Sequence, residues 1–176
     1  MKKLVLPAAV AACCILFSCN NSGGGGNDKN LEVTHDIYKG LETGDTSKLV
    51  NIADDGVDHM GPNGTEVKGG ENIRKMLADM HNHVKDLKID VMQEAANGDY
   101  VFVLSKLTGT ATDNMMGQQP GTAISQTAVD VIKFKDGKAV EHWGFMDPNE
   151  MMKMMQQQKP MDNMKTDTTK MKKDSM

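Results

Sequence analysis

Apolar residues in the first third of the chain recur at helical spacing. Val33, Ile37 and Leu41 lie four residues apart along the segment 31–41, and most of the positions between them are polar. Such a stripe is typical of a helix that buries one narrow face. The pattern stops at Gly44, and glycine commonly ends helices because it adopts backbone conformations that other residues avoid. We therefore predict a first helix over 31–41.

Two further segments of the N-terminal half carry helix signals. Asp45 is a favourable N-cap for a short helix over 47–53. A third helix is expected to begin at 70–71, because the next four apolar positions lie at i, i+3, i+4 and i+7. These positions are Ile73, Met76, Leu77 and Met80. A short strand is predicted between the second and third helices, at 57–60.

The second half of the chain changes to a period of two, which is typical of β-strands. Leu87, Ile89 and Val91 alternate with polar residues. Asn97-Gly98 and Asp136-Gly137 are strong signals for two-residue hairpin turns. Strands are predicted at 87–91, 100–108, 123–134 and 138–146. With the short strand they predict an α+β fold, in which an antiparallel sheet packs against three N-terminal helices.

The turn at 136–137 also predicts which side chains share a face, because a two-residue loop sets the register of the strands it joins. Counting outward places Asp130 opposite Trp143 and leaves His142 on the other face, unless a β-bulge shifts the count. One face would then mix polar and aromatic residues, as the lining of a mostly apolar pocket does. The predicted residues of this face include Gln126, Asp130, Glu141, Trp143, Phe145 and Asp147.

Composition limits the functions that these elements can serve. The chain has 176 residues, which is room for one domain plus tails. Cys13, Cys14 and Cys19 all lie in the first nineteen positions, so the domain has no thiol for catalysis, zinc binding or an internal disulfide. The formal net charge of −4 becomes −6 once Lys2 and Lys3 are removed with a leader. Nucleic acid is not an expected partner, because binding a phosphate backbone needs a basic surface.

The first nineteen residues have the layout of a secretory signal peptide. Two lysines precede an apolar run from 4 to 17, which is too short to span a bilayer as a helix. The sequence Leu-Phe-Ser-Cys at 16–19 resembles a bacterial lipobox, in which cleavage before the cysteine frees it for lipid attachment. Cys19 is thus the predicted lipid attachment site, with an ordinary signal peptide as the alternative. The Gly-rich segment 20–30 is predicted to be a flexible tether.

This leader predicts where the protein works. Burying acyl chains contributes about 0.8 kcal/mol per CH₂ group, so several chains would anchor the protein stably. Asn20, rather than an aspartate, follows the cysteine. By analogy with enterobacterial lipoproteins, this favours the outer membrane. We expect a lipid-anchored protein of the bacterial cell envelope that faces the periplasm.

The C-terminal segment 149–176 is rich in methionine and poor in other core-forming residues. Eight of the sixteen methionines lie at 151–176, among lysine, aspartate, threonine and glutamine. The first four fit a helix that covers the pocket or packs on the sheet, and the rest is predicted to be disordered. Because thioethers are soft ligands that select Cu(I), a copper-binding or redox role is an alternative.

Several short motifs follow one another along 31–148. They are Leu-Glu-Thr-Gly-Asp at 41–45, Asp58-His59 before a proline turn, Gly-Glu-Asn-Ile at 70–73, Gly109-Thr110 followed by Gly117 and Pro120, and Lys-Asp-Gly-Lys-Ala-Val-Glu-His-Trp at 135–143. With the order of the elements, these motifs resemble the SnoaL-like polyketide cyclase family, within the nuclear-transport-factor-2-like fold. The resemblance implies a cone made by a strongly curved sheet wrapped against three helices, with a pocket at one end.

The resemblance also implies where catalysis would occur. Members that cyclise polyketide esters use an Asp in the last strand as acid/base, aided by a His on the neighbouring strand. In this sequence the Asp position falls on Gly144, and the His position falls at or near Asp130. Glycine cannot abstract a proton, so Asp130 or Asp147 would have to act as the base. His59, which matches a histidine of the family near the pocket mouth, could polarise a carbonyl.

Three functions remain open from the sequence. The first is a cyclase or isomerase that enolises a small hydrophobic or carbonyl-containing molecule. The second is a non-catalytic binding module with the same pocket, and the third is a Met-rich copper-binding or redox protein. No cofactor is expected, and His59, His81 and His83 lack the spacing of a metal site. The expected partners are a small hydrophobic ligand, the membrane through lipidated Cys19, and a second copy through the sheet.

Overall fold

The computed structural model describes residues 24–61, 64–114 and 118–157, which form helices and strands in the predicted order. The helices are α1 (Gly24–Thr43), a 3₁₀ helix (Thr46–Leu49), α2 (Gly70–His83) and α3 (Pro148–Gln157). The strands are β1 (Ile52–Asp58), β2 (Val67–Lys68), β3 (Val84–Asn97), β4 (Tyr100–Ala111), β5 (Ala123–Lys135) and β6 (Lys138–Met146). Within the described residues, every helix is too short or too polar to cross a membrane.

The six strands form one mixed sheet in the order β2-β1-β6-β5-β4-β3. All neighbours are antiparallel except β1 and β6, which run parallel. The α+β class is confirmed, but the prediction of a purely antiparallel sheet was wrong, because β1 inserts beside the last strand of the chain. β1 also begins at Ile52 rather than at 57, since Ile52 and Ala53 are buried in the core. The cone shape stays a prediction.

The main core joins α1 and α2 to one face of the sheet, which we call the inner face. Ile73 of α2 is buried and Leu77 packs against the core, in agreement with the predicted helical stripe. A smaller cluster around Val84 and Ile124 adds to the core. The buried residues of the main core are Val33, Ile37, Leu49, Ile52, Ile73, Val101, Val103, Ile132, Phe134 and Ala139.

Helix α1 begins at Gly24, inside the segment 20–30 for which a flexible tether was predicted. The hydroxyl of Thr34 donates to the carbonyl of Asn30 at 2.9 Å, and both residues are buried. The ammonium of Lys29 lies 2.9 Å from the position that a Cβ on Gly137 would occupy. A hydrogen bond within the helix and an approach to the β5–β6 turn thus accompany a helix that local composition does not predict. The tether prediction is wrong for 24–30, whereas Cys19 lies outside the described residues.

A β-bulge at Val140 decides which side chains of β6 face inward. β5 and β6 pair regularly beside their turn, but the register shifts between Ala139 and Glu141, which leaves Val140 as the extra residue. Because side chains alternate along a strand, one extra residue moves every later side chain to the opposite face. The register beyond the bulge therefore differs by one from the unshifted count.

This shift corrects the predicted faces. Asp130 pairs with Gly144 rather than with Trp143, and His142 lies on the inner face instead of the opposite one. Trp143 and Phe145, predicted to line the pocket, lie on the outer face, where Trp143 stacks on His59 with ring centroids 4.9 Å apart. The prediction failed because the bulge arises from tertiary packing and has no marker in the hairpin itself.

Helix α3 confirms a helix at the start of the methionine-rich segment. The carboxylate of Asp147 accepts a hydrogen bond from the N–H of Asn149 at 2.7 Å, and Glu150 accepts one from the N–H of Thr127 on β5 at 2.5 Å. Met151 and Met152 are exposed. Polar contacts therefore attach the start of the helix to the sheet. Residues 158–176, with most of the predicted disordered tail and the copper hypothesis, lie outside the described residues.

Phe134 and Phe145 provide a matched test of the two sheet faces. Phe134 is 2 % exposed in the core, whereas Phe145 is 61 % exposed on the outer face. Phe134→Ala is expected to lower the free energy of unfolding by about 3–5 kcal/mol. Phe145→Ala is expected to lower it by about 0.5 kcal/mol or less. Urea unfolding in dilute solution, where a dimer through the sheet would not contribute, measures both. Equal losses would contradict the observed register.

Candidate functional site

A largely apolar cavity of about 170 Å³ lies between α1, α2 and the inner face of the sheet. An apolar wall excludes water and favours a hydrophobic ligand. The polar residues of its lining are Tyr38, Asp58, Ser105, Gln126, Asp130, Glu141 and His142. Its aliphatic wall includes Ile37, Leu41, Ile52, Ile73, Leu77, Ile89, Leu107 and Ile132.

The imidazole of His142 lies between two carboxylates that line this cavity. Its Nδ1 is 3.0 Å from Asp58 Oδ2, and its Nε2 is 3.4 Å from Asp130 Oδ1. A carboxylate accepts hydrogen bonds and does not donate them, so both ring nitrogens must carry a proton to satisfy both contacts. The geometry therefore describes an imidazolium held between two carboxylates.

Asp130 accepts two further hydrogen bonds at its second oxygen. The hydroxyl of Tyr38 on α1 donates to Oδ2 at 2.6 Å, and the hydroxyl of Ser105 on β4 donates to the same atom at 3.3 Å. Asp130 itself lies on β5 and its partner His142 on β6. Side chains from a helix and two neighbouring strands thus converge on one carboxylate.

The pKa values of the neighbouring groups follow from burial and from this network. Burial alone would lower the pKa of His142, but the carboxylates of Asp130 and Asp58 outweigh it and raise the pKa to about 9. For Asp58, burial opposes ionisation, but the hydrogen bond and the charge of His142 and the N–H of Met60 hold its pKa below the usual value. Burial, followed by the charge of Asp130, raises the pKa of Tyr38, so its hydroxyl stays a neutral donor.

The structure brings together some of the predicted site residues. Asp130, Gln126 and Glu141 belong to the cavity lining, but the side chain of Glu141 lies on the outer face with Trp143, where its carboxylate pairs with Lys133 at 2.6 Å. Asp147 does not belong to the lining; its carboxylate caps α3. Asp130 is therefore the predicted carboxylate base that the structure places beside the network.

The predicted carbonyl-polarising histidine, His59, is also outside the cavity lining. It lies directly after β1, with Nδ1 2.9 Å from Glu66 and its ring stacked on Trp143. Its neighbour Asp58 points into the cavity instead. The Asp58-His59 motif thus marked the correct place in the fold, but its first residue is the one that reaches the site.

Four residues of the network were missed as site candidates: Tyr38, Asp58, Ser105 and His142. Tyr38 follows the buried Ile37 on α1, and Ser105 continues the alternation of the buried Val101 and Val103 on β4. Helical and strand periodicity therefore could have placed these two on the inner face. For His142, the decisive feature is the bulge, which the sequence does not reveal.

Among the described residues, no cluster of three or more His, Cys, Asp or Glu side chains has the arrangement of a metal site.

A family model described as SnoaL-like polyketide cyclase matches residues 32–157. The chain belongs to this family. None of the curated proteins matches the sequence.

Several solved structures share the fold. TsrD from Streptomyces laurentii is 18 % identical, with a TM-score of 0.63 over 74 % of this chain and 96 % of that one. IdmH from Streptomyces antibioticus is 23 % identical, with a TM-score of 0.59 over 72 % and 98 %. The LEH-like epoxide hydrolase of M. tuberculosis is 14 % identical, with a TM-score of 0.60 over 74 % and 91 %. At these identities the likeness establishes the fold alone.

A carboxylate and an imidazole are in contact here, but they lie on the opposite strands from those that the family resemblance implies. The resemblance implies an Asp on the last strand and a His on its neighbour, whereas here His142 lies on β6 and Asp130 on β5. Gly144, at the implied Asp position, is directly opposite Asp130, and a Cβ there would lie 3.4 Å from Asp130 Oδ1. The same Cβ would lie 3.1 Å from the side chain of Met60, so the glycine lets Met60 pack beside the carboxylate of Asp130.

The raised pKa of His142 predicts a loss of stability in mild alkali. A folded-state pKa of about 9, against about 6.5 in the unfolded chain, stabilises the fold below pH 6.5, and this contribution is lost as the pH rises through 9. The free energy of unfolding should fall by up to about 3 kcal/mol over that interval, since each unit is worth about 1.4 kcal/mol. Urea unfolding at a series of pH values measures the slope.

His142→Gln should remove most of this slope, whereas His81→Gln, which changes a histidine outside the network, should keep it. A slope that persists unchanged in His142→Gln would assign the titration to another group.

Proposed function

We propose that this SnoaL-like protein is a cyclase or isomerase that transfers a proton next to a carbonyl group of a small, mainly hydrophobic molecule. The observation that carries the proposal is the carboxylate of Asp130, which faces an apolar cavity beside the neutral hydroxyl of Tyr38. A base and a hydrogen-bond donor side by side are what enolisation needs.

In the proposed reaction Asp130 is the base. Its carboxylate removes a proton from the carbon next to the carbonyl, and the electrons of that C–H bond pass to the carbonyl oxygen, which becomes an enolate. Once protonated, Asp130 is a weaker acceptor, so the Tyr38 hydroxyl is free to donate to the enolate oxygen. The imidazolium of His142 balances the carboxylate before transfer and remains protonated throughout.

The enolate then has two outcomes. If Asp130 returns the proton to a different carbon, the product is an isomer. If the enolate carbon attacks a second carbonyl of the same molecule, a carbon–carbon bond closes a ring and the new alkoxide takes the proton. The aliphatic walls support both outcomes, because excluding water strengthens the hydrogen bonds to the developing charge.

Asp130→Asn tests the proposed base through deuterium exchange at the α-carbons of cyclohexyl methyl ketone in D₂O, followed by NMR. The full chain should accelerate the exchange, and Asp130→Asn should slow it by about 100-fold or more, as is usual for loss of a general base. Asp55→Asn, an exposed carboxylate on the same strand as Asp58, is the control and should leave the rate unchanged.

Asp147→Asn separates the two carboxylates that the sequence offered as bases. Loss of exchange in Asp147→Asn but not in Asp130→Asn would reassign the base. Binding of the ketone without exchange above the solvent rate would favour the alternative function, a binding module that uses the same cavity without reaction.

We propose in addition that Cys19 carries a lipid that anchors the domain to the bacterial envelope, at the periplasmic side of the outer membrane. The support is the short apolar run that ends in Leu-Phe-Ser-Cys at 16–19. A membrane location fits a hydrophobic ligand, which would be concentrated near lipid.

Cys19→Ala tests the anchor in cells labelled with radioactive palmitate. The full chain should incorporate label and sediment with membranes, and Cys19→Ala should lose the label. Cys14→Ala removes a neighbouring thiol of the same leader and should keep it. Equal labelling of Cys19→Ala and the unchanged chain would show that the cysteine is incidental.

A further inference from the structure

The end of the cavity that is lined by His142, Asp58 and Asp130, which we call the inner end, contains more negative than positive charge. Asp58 and Asp130 flank a single cation, the imidazolium of His142. One carboxylate is sufficient to balance the ring, so the second leaves one net negative charge. The field of this charge acts on the cavity, and its effect is stronger beside apolar walls than it would be in water.

No lysine or arginine belongs to the lining of the cavity in the part of the chain that the structure describes. Glu141 lines it too, but its carboxylate is balanced by Lys133 at 2.6 Å. The guanidinium of Arg74 donates a hydrogen bond to the carbonyl of the lining residue Ile52, and it forms an ion pair with Asp54 at 3.5 Å. The excess charge at the inner end is therefore not compensated from the wall.

Asp58 is the carboxylate that creates this excess. Its side chain is only 4 % exposed, so bulk water solvates it little. One oxygen accepts from Nδ1 of His142, and the other accepts from the N–H of Met60 at 2.7 Å. These contacts hold Asp58 beside Nδ1 of the imidazole. Asp130, which accepts a hydrogen bond from Tyr38, lies beside Nε2.

We propose that the cavity admits uncharged or cationic organic molecules and excludes anions, and that Asp58 is the residue that sets this selectivity. The inference deepens the proposed function, since it concerns the same cavity, but it concerns binding and not proton transfer. An anion beside Asp130 would be repelled by the surplus negative charge. A neutral ketone would not be repelled, and an ammonium group would be attracted because it offsets that charge. For a reaction at a carbonyl, the substrate class is therefore a neutral ketone or ester, or an amine-bearing one, and not a free acid.

Three probes that share a cyclohexyl ring test this selectivity. They are cyclohexyl methyl ketone, cyclohexylmethylammonium and cyclohexanesulfonate, which differ in the charge of the head group. Dissociation constants are measured with the full chain at pH 6 by NMR shift titration, because the sulfonate is ionised and the imidazolium is protonated at that pH. The ketone and the ammonium probe should each bind at least about ten times more tightly than the sulfonate.

Asp58→Asn should bring the affinity of the sulfonate to within about threefold of that of the ketone, because His142 and Asp130 then form a neutral pair. Asp55→Asn removes the same unit charge from an exposed position of the same strand and should keep the tenfold discrimination. If Asp58→Asn does not fold, Asp130→Asn removes the equivalent charge from the other side of the imidazole and is measured in the same way.

Four results would overturn the proposal: sulfonate binding within threefold of the ketone in the unchanged protein, no binding of either the ketone or the ammonium probe, discrimination that persists in the charge-removing variant, or an equal loss in Asp55→Asn. A protein that discriminates as expected but does not exchange deuterium would instead overturn the proposed function and leave this inference standing.

Discussion

The hydrogen bonds of His142 to two carboxylates are the interaction on which the rest of the site depends. The ring on β6 joins Asp58 on β1 to Asp130 on β5, so three adjacent strands are held in one alignment. The contact requires β1 to lie parallel beside β6, and it requires the extra residue Val140 in β6. Removing one partner of a buried charge pair commonly costs about 3–5 kcal/mol, because the other charge is left unpaired.

This network is surrounded by aliphatic residues, and the combination gives the cavity its chemical character. Buried charges are tolerated in proteins when hydrogen bonds satisfy them, and here Asp130 accepts from Tyr38, Ser105 and His142. The same apolar walls that make unpaired charge costly also strengthen a hydrogen bond to an enolate. The proposed acid/base chemistry and the proposed selectivity for ligand charge thus depend on one arrangement of side chains.

The carboxylate and imidazole that are in contact in this SnoaL-like chain do not occupy the positions that the family resemblance implies. The strand position at which the resemblance implies an acid/base Asp is Gly144 here, while a histidine two residues earlier and an aspartate on the neighbouring strand are in contact. What the two arrangements share is a pair of adjacent strands that places a carboxylate and an imidazole together. The fold supplies this geometry, and in this chain β5 supplies the carboxylate and β6 the imidazole.

The sequence by itself determined the elements whose signals are local. Helical spacing predicted α1 and the stripe of α2, Asp45 predicted a cap, and the dipeptides at 97–98 and 136–137 predicted both hairpins. It also singled out Asp130 and assigned the family. Periodicity and turn chemistry act over a few residues, so these features can be deduced without knowledge of the fold.

Tertiary structure alone decided the parallel pairing of β1 with β6, the start of α1 at Gly24 and the bulge at Val140. Each depends on contacts between residues far apart in the chain, which compete with local preference and leave no mark in a short window of sequence. The bulge had the largest effect on the site. Because side chains alternate along a strand, the bulge placed His142, instead of Trp143, on the inner face. It thereby brought the imidazole to Asp130.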